Sequence, residues 1–423
     1  MKSEVGSLKS ALAIGVLFVA MAGAPREAAA YSVLTHEANI DALWDSSIQP
    51  LLARKFPRAT RDDLKHARAF AYGGSVIQDL GYYPFGSHFF SNLLHYVRTG
   101  DFVEALIHEA RDVDEYAFAL GALAHYAADN AGHPDAVNKA VALMFPKMRA
   151  KYGDVITYEK SPATHVLVEF SFDVVQAAAG AYASEAYHDF IGFEVAKPLL
   201  ERTFQEVYAL EMKNLFLSTD LTIGSYRRAI SDTIPNITRV AWRDKREEIE
   251  KIKPGMAQER FIFNLSRRDY ERDFGRDYQR PGLLTRFLGV LYKLLPKIGP
   301  LRPLKFEAPT PESERLFLAS FKDTRERFQT SLQAVGQGRL NLANTNFDTG
   351  KPSAHGEYAL ADDTYAELLD RLAGRQFAAV PPALRKNIAA FYDAAPDRIS
   401  GKKERKRIGK IRRQLALLQH EGH

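Results

Sequence analysis

Apolar residues recur three and four positions apart in Val103–Ile107, Tyr116–Tyr126, Val166–Val175 and Leu199–Leu215. That spacing lines one face of a helix. Short breaks rich in Gly and Pro separate the stretches: Tyr83-Pro84-Phe85-Gly86, Gly132-His133-Pro134, Lys160–Pro162 and Ile234-Pro235-Asn236. Such dipeptides end helices and start turns. Strand-like alternation is scarce, so residues 31–295 predict an all-α, multi-helix bundle. Residues 296–312 are rich in proline and predict an extended connection. Residues 313–423 predict a helical C-terminal extension. Its helices should reach to about Gln333 and cover Ala359–Leu372 and Pro382–Ala394, with a Gly/Asn-rich loop over Gly336–Gly356 between them.

The N-terminus follows a different pattern. Lys2 and Lys9 precede the apolar stretch Ala11–Ala24, and the small residues Ala28-Ala29-Ala30 follow. A positive start, a short apolar run and a small-residue cleavage site make a secretory signal peptide, here residues 1–30. Cleavage after Ala30 would make Tyr31 the mature N-terminus and would place the protein outside the cytoplasm, secreted or periplasmic. The rest of the chain has no apolar run of 18 residues.

Composition narrows the chemistry. The 423 residues include no cysteine. Disulfides, thiolate nucleophiles, thiolate zinc sites and iron–sulfur clusters are therefore excluded, and any metal must sit on N and O ligands. The formal charge is +5, which by itself suggests nucleic acid or a membrane surface. Its distribution changes that reading. The segment 402–413 (KKERKRIGKIRR) carries +7 and residues 1–30 carry +1, so the body is slightly acidic at −3. The basic segment reads either as a solvated, disordered tail or as an attachment to an anionic membrane.

Nine of the twelve histidines fall between His36 and His188. A His with a carboxylate four residues on shares a helix face with it. Carboxylates hold 52 of 423 positions, so chance gives about 1.5 such pairs. Three occur: His108/Asp112, His125/Asp129 and His165/Glu169. Spacing alone is uninformative, but context separates the pairs. His108 and Asp112 lie among charges, as on a solvated face. His125/Asp129 and His165/Glu169 lie in apolar helices, where a carboxylate is costly to bury unless paired or bound to a cation. A buried His–carboxylate hydrogen bond and a metal site are equal readings of either pair alone. Finding both, with His133 one turn beyond Asp129, favours metal.

The order of these residues resembles the zinc-dependent phospholipase C family, related to the fungal zinc-dependent single-strand nucleases. The matching positions are Tyr31 as a free N-terminus, His36, Asp79 before Gly81–Gly86, His95, His125 and Asp129 on a central helix, His133, and His165 with Glu169. His88 is the other candidate partner of Asp79. The resemblance covers roughly residues 31–200. It implies an all-α bundle around as many as three zinc ions. One would take Asp79, His95, His125 and Asp129, and a second His133, His165 and Glu169. A third would take Tyr31 and His36, with Asp129 bridging to the first. Asp79 would be the catalytic residue that orients or deprotonates the attacking water. Asp112, Asp114, Glu115 and Asp173 are candidates to hold the imidazoles.

The implied activity is phosphodiester hydrolysis, as a phospholipase C releasing a phosphorylated head group from phospholipid. Nucleic acid is the alternative substrate, for a single-strand nuclease of the same metal architecture; the acidic body disfavours it. A non-catalytic helical binding protein is the remaining alternative, expected if the signal is not removed. Nothing in the pattern points to a protein partner, and residues 301–423 carry no visible catalytic signal.

Overall fold

A computed structural model of the chain describes residues 33–83, 85–178, 194–228, 247, 307–393 and 402–420. The expected signal peptide, Tyr31 and all but the last residues of the Pro-rich connection lie outside the described residues.

Helix α1 (Val33–Leu43) passes through a π turn at Trp44–Ile48 into α2 (Gln49–Lys55). Helix α3 (Arg61–Val76) tightens into a 3-10 turn over Ile77–Tyr82. Then come α4 (His88–Tyr96), α5 (Thr99–Glu109) and the long α6 (Val113–Gly132). A π turn at His133–Val137 leads to α7 (Asn138–Met144), α8 (Pro146–Tyr152) and α9 (Pro162–Ala178). Helices α10 (Lys197–Tyr208) and α11 (Thr219–Arg228) follow. Beyond residue 307 lie α12 (Pro311–Gly336), α13 (Ala359–Gly374), α14 (Pro382–Asp393) and α15 (Lys402–His420). Between α12 and α13, β1 (Thr345–Asn346) pairs antiparallel with β2 (Lys351–Pro352). The fold is all-α, as the periodicity predicted.

Local chemistry sets the helix starts. Thr60 and Asp63 form a reciprocal capping box on α3, Asp112 accepts from the Glu115 amide at 2.8 Å to cap α6, and Thr310 caps α12. Each cap satisfies backbone donors that the first turn leaves open. Asp112 is thus a helix cap rather than a support for an imidazole.

Helix α6 is the centre of the fold, and it is buried along nearly its whole length. Helix α3 lies flush against it because glycines stand at the crossing. A Cβ on Gly74 would come within 1.9 Å of the Phe118 carbonyl, and one on Gly121 within 2.0 Å of the Ala71 carbonyl. Helix α12 covers another side of the bundle. Phe317 stacks on Phe172 of α9 at 4.6 Å, and Phe328 and Leu332 are buried. Each such burial is worth about 1.5–3 kcal/mol. The extension therefore shares one apolar core with the N-terminal helices.

The basic segment is not a disordered tail. Within α15, Ile408, Ile411 and Leu418 are buried, Lys410 pairs with Asp370 of α13 at 2.6 Å, and Arg407 pairs with Asp363 at 2.6 Å. The apolar positions interleaved with the charges dock one face of the helix, and Arg405, Lys406, Arg412 and Arg413 remain exposed.

Candidate metal centre

The ligand candidates come from five places in the chain. His36 lies on α1, Asp79 in the 3-10 turn and His95 on α4. His125 and Asp129 lie on α6 with His133 at its end, and His165 and Glu169 lie on α9. All are 0–3% exposed. They form three groups with ligand atoms within 4.8 Å of one another: His36/His125/Asp129, Asp79/His95/His125 and His133/His165/Glu169.

Asp129 stands between the groups. Its Oδ1 faces His36 Nε2 at 3.6 Å, and its Oδ2 faces His125 Nε2 at 3.0 Å and His95 Nε2 at 3.4 Å. Asp79 Oδ1 lies 3.4 Å from the same His95 nitrogen. His95, not His88, therefore stands with Asp79. His36 stacks on His125 with ring centroids 4.2 Å apart. His165 Nδ1 faces Glu169 at 3.3 Å.

The His165–Glu169 contact is a hydrogen bond, but those around Asp129 are not. Asp79 Oδ1, His95 Nε2, His125 Nε2 and both Asp129 oxygens are buried without a hydrogen-bond partner. Orphaned polar atoms are costly in a protein interior. Bonds of about 2.0–2.2 Å in a tetrahedral zinc site put neighbouring ligand atoms about 3.3 Å apart. The observed spacings of 3.0–3.6 Å fit that geometry, and the all-N/O donor set suits zinc.

The opposite ring nitrogens are held by backbone. His95 Nδ1 donates to the Ser91 carbonyl at 2.8 Å, His125 Nδ1 to Ser75 at 2.9 Å and His165 Nε2 to Ile156 at 2.9 Å. Each bond fixes the tautomer and turns the other nitrogen toward the cluster. The Ser75 carbonyl is presented where α3 gives way to the 3-10 turn, at the α3–α6 glycine crossing.

This arrangement corrects the expected supports. Asp114 pairs with His66 at 3.1 Å, and Glu115 pairs with Arg202 at 2.8 Å. Asp173 accepts from the amides of Leu34 and Thr35 at 2.9 and 3.0 Å, so it caps α1 one residue before His36. Tyr31 lies outside the described residues.

Burial sets the charge states. It pushes the Glu169 carboxyl well above the usual range, reinforced by Asp79 and Asp129. It pushes His133 well down and His165 down to about 4. Burial opposes a charge on His95 as well, yet Asp129 and Asp79 overcome it and lift that ring to about 10. Asp129 moves the other way: His125, His95 and His36 outweigh burial and hold it well below the usual carboxylate range.

One part of the centre was not foreseen. The β1–β2 turn lays Phe347 over His95, with centroids 5.4 Å apart, and brings Asp348 Oδ1 to 3.1 Å from His133 Nδ1. Burial pushes the Asp348 carboxyl well above the usual range. The only trace in the sequence is an aromatic–acid pair inside an otherwise polar stretch (Asn344–Lys351).

Residues 35–218 match the family model for zinc dependent phospholipase C. The resemblance read from the sequence thus holds at the level of the family, whose fold is all-α. No curated protein and no solved structure matches the chain.

Proposed function

We propose that this chain acts as a zinc-dependent phospholipase C, hydrolysing the phosphodiester of a phospholipid and releasing the phosphorylated head group. One observation carries the reading most strongly: around Asp129, buried atoms of Asp79, His95 and His125 without hydrogen-bond partners converge within the family-matched segment at zinc-ligand spacing. Zinc bound there supplies Lewis acidity, which brings water toward deprotonation at neutral pH and offsets charge on phosphoryl oxygens.

The chain's own residues would do the following. Asp79, His95, His125 and Asp129 hold one ion. His133, His165 and Glu169 hold a second. Tyr31, as a free N-terminus, and His36 hold a third, with Asp129 bridging. Asp79 orients the attacking water and accepts its proton, and its Oδ1 beside His95 Nε2 keeps that carboxylate at the cluster.

The N-terminal ligand requires removal of residues 1–30, which also implies export. Among the described residues no helix is long and apolar enough to cross a membrane. We take contact with lipid to be peripheral, through α15. The exposed Arg405, Lys406, Arg412 and Arg413 of α15, with Leu417 at 55% exposure, suit an anionic surface.

The deciding experiment presents the matured, zinc-loaded protein with phosphatidylcholine and, separately, with single-stranded DNA. Phosphocholine released without nucleotides is the expected result. Nucleotides without phosphocholine would establish a nuclease instead, and no turnover of either would leave a non-catalytic binding protein.

A further inference from the structure

His133 differs from three of the other imidazoles of the centre. His95, His125 and His165 each have one ring nitrogen held by a backbone carbonyl. His133 Nδ1 is buried with no hydrogen-bond partner. Pro134 follows it, and α6 loosens there into the π turn, so the local backbone differs from that around the other three. The carboxylate facing Nδ1 is that of Asp348, with Oδ1 at 3.1 Å; this oxygen too is buried and lacks another hydrogen-bond partner.

Asp348 is held as though for this task. The Tyr358 hydroxyl donates to Oδ2, which leaves Oδ1 facing His133. The Asp348 amide donates to Asn346 Oδ1 at 2.9 Å, and its carbonyl accepts from Asn138 Nδ2 at 2.8 Å. The neighbouring Phe347 amide donates to the His95 carbonyl at 3.1 Å. The side chain is 1% exposed. It belongs to none of the three ligand groups. The His133 nitrogen nearer the cluster is Nε2, 3.9 Å from Asp129 Oδ2. A carboxylate behind an imidazole, with the opposite nitrogen facing a metal, fixes ring orientation and raises ligand basicity. Contacts of this kind are often poorly aligned without the bound partner and tighten once it is present.

We propose that Asp348 is a positioning residue of the metal centre: its Oδ1 accepts the Nδ1 proton of His133 and thereby aims Nε2 at the metal. The role rests on the zinc reading above. It also gives the C-terminal extension, which lies outside the family-matched residues 35–218, a direct part in the centre.

The test measures zinc affinity of the full matured chain by competition with a chromogenic chelator, for the wild type, Asp348→Ala and Asp348→Asn. The Ala variant should bind one zinc about 10–100-fold more weakly, the usual cost of losing such a support, with the remaining zinc unchanged. The Asn variant keeps an oxygen that accepts the Nδ1 proton and should lose much less. In the zinc-loaded wild type, nitrogen NMR of His133 should find the proton on Nδ1 and the metal on Nε2.

Equal affinity in wild type and Asp348→Ala would overturn the role. So would equal losses in the Ala and Asn variants, which would make Asp348 a ligand itself. Metal on Nδ1 in the wild type would overturn it without any variant having to fold. A wild type that takes up no zinc would instead overturn the zinc reading.

Discussion

Both oxygens of Asp129 face imidazole nitrogens, so an amide there removes a charge and one acceptor together. Asp129→Asn should lose bound zinc and hydrolytic activity, as read by metal analysis and lipid turnover. Asp112→Asn, which alters only a helix cap, should keep both. Protonation gives a second expectation. Without metal, His95 holds its proton up to about pH 10, and Glu169 is raised well above the usual carboxyl range. Both must release a proton to become ligands. Zinc affinity should therefore rise with pH from neutrality toward 10. Uptake at pH 7 should release protons, detectable by calorimetry in buffers of different ionisation enthalpy. The burial of His125/Asp129 and His165/Glu169 was legible in the sequence because their apolar flanks marked it, whereas His36, Asp79 and His95 were pointed to only by the family resemblance. Asp348 was not legible, since its partner lies across the fold and an acid in a turn sequence is ordinary.

Between residues and the whole, the helices followed the apolar periodicity except in Leu199–Leu215, where α10 ends at Tyr208 and Ala209 turns the chain in a left-handed conformation. The C-terminal helices lie where expected, at Pro311–Gly336, Ala359–Gly374 and Pro382–Asp393. Two features needed tertiary contacts to appear. One is the docking of α15, whose charge run masked the buried Ile408, Ile411 and Leu418. The other is the close α3–α6 crossing. A methyl group at Gly121 would meet the Ala71 carbonyl at 2.0 Å, and forcing the helices apart costs about 1–3 kcal/mol. Gly121→Ala should lower the melting temperature. It should also weaken zinc binding, because the same crossing sets the distance from Ser75 to His125; melting with and without zinc reads both effects.

At the scale of the molecule, the proposed N-terminal ligand and the C-terminal extension would both act on one centre. N-terminal sequencing of exported protein should begin at Tyr31; a different start would remove the proposed third site. Replacing the exposed Arg405, Lys406, Arg412 and Arg413 with neutral residues should weaken binding to anionic vesicles at low salt. Deleting 402–420 should lower stability as well, because it strips the buried face from α13. The β1–β2 turn carries a consequence for biosynthesis. Asn138 and Asp348, joined by a hydrogen bond, stand 210 residues apart. Contacts that distant must await closure of a long loop and form slowly. A chain still being synthesised can assemble the family-matched helices while the wall over His95 and His133 is absent. The complete centre should thus be a late product of folding, finished only once the β1–β2 turn has docked on the earlier helices.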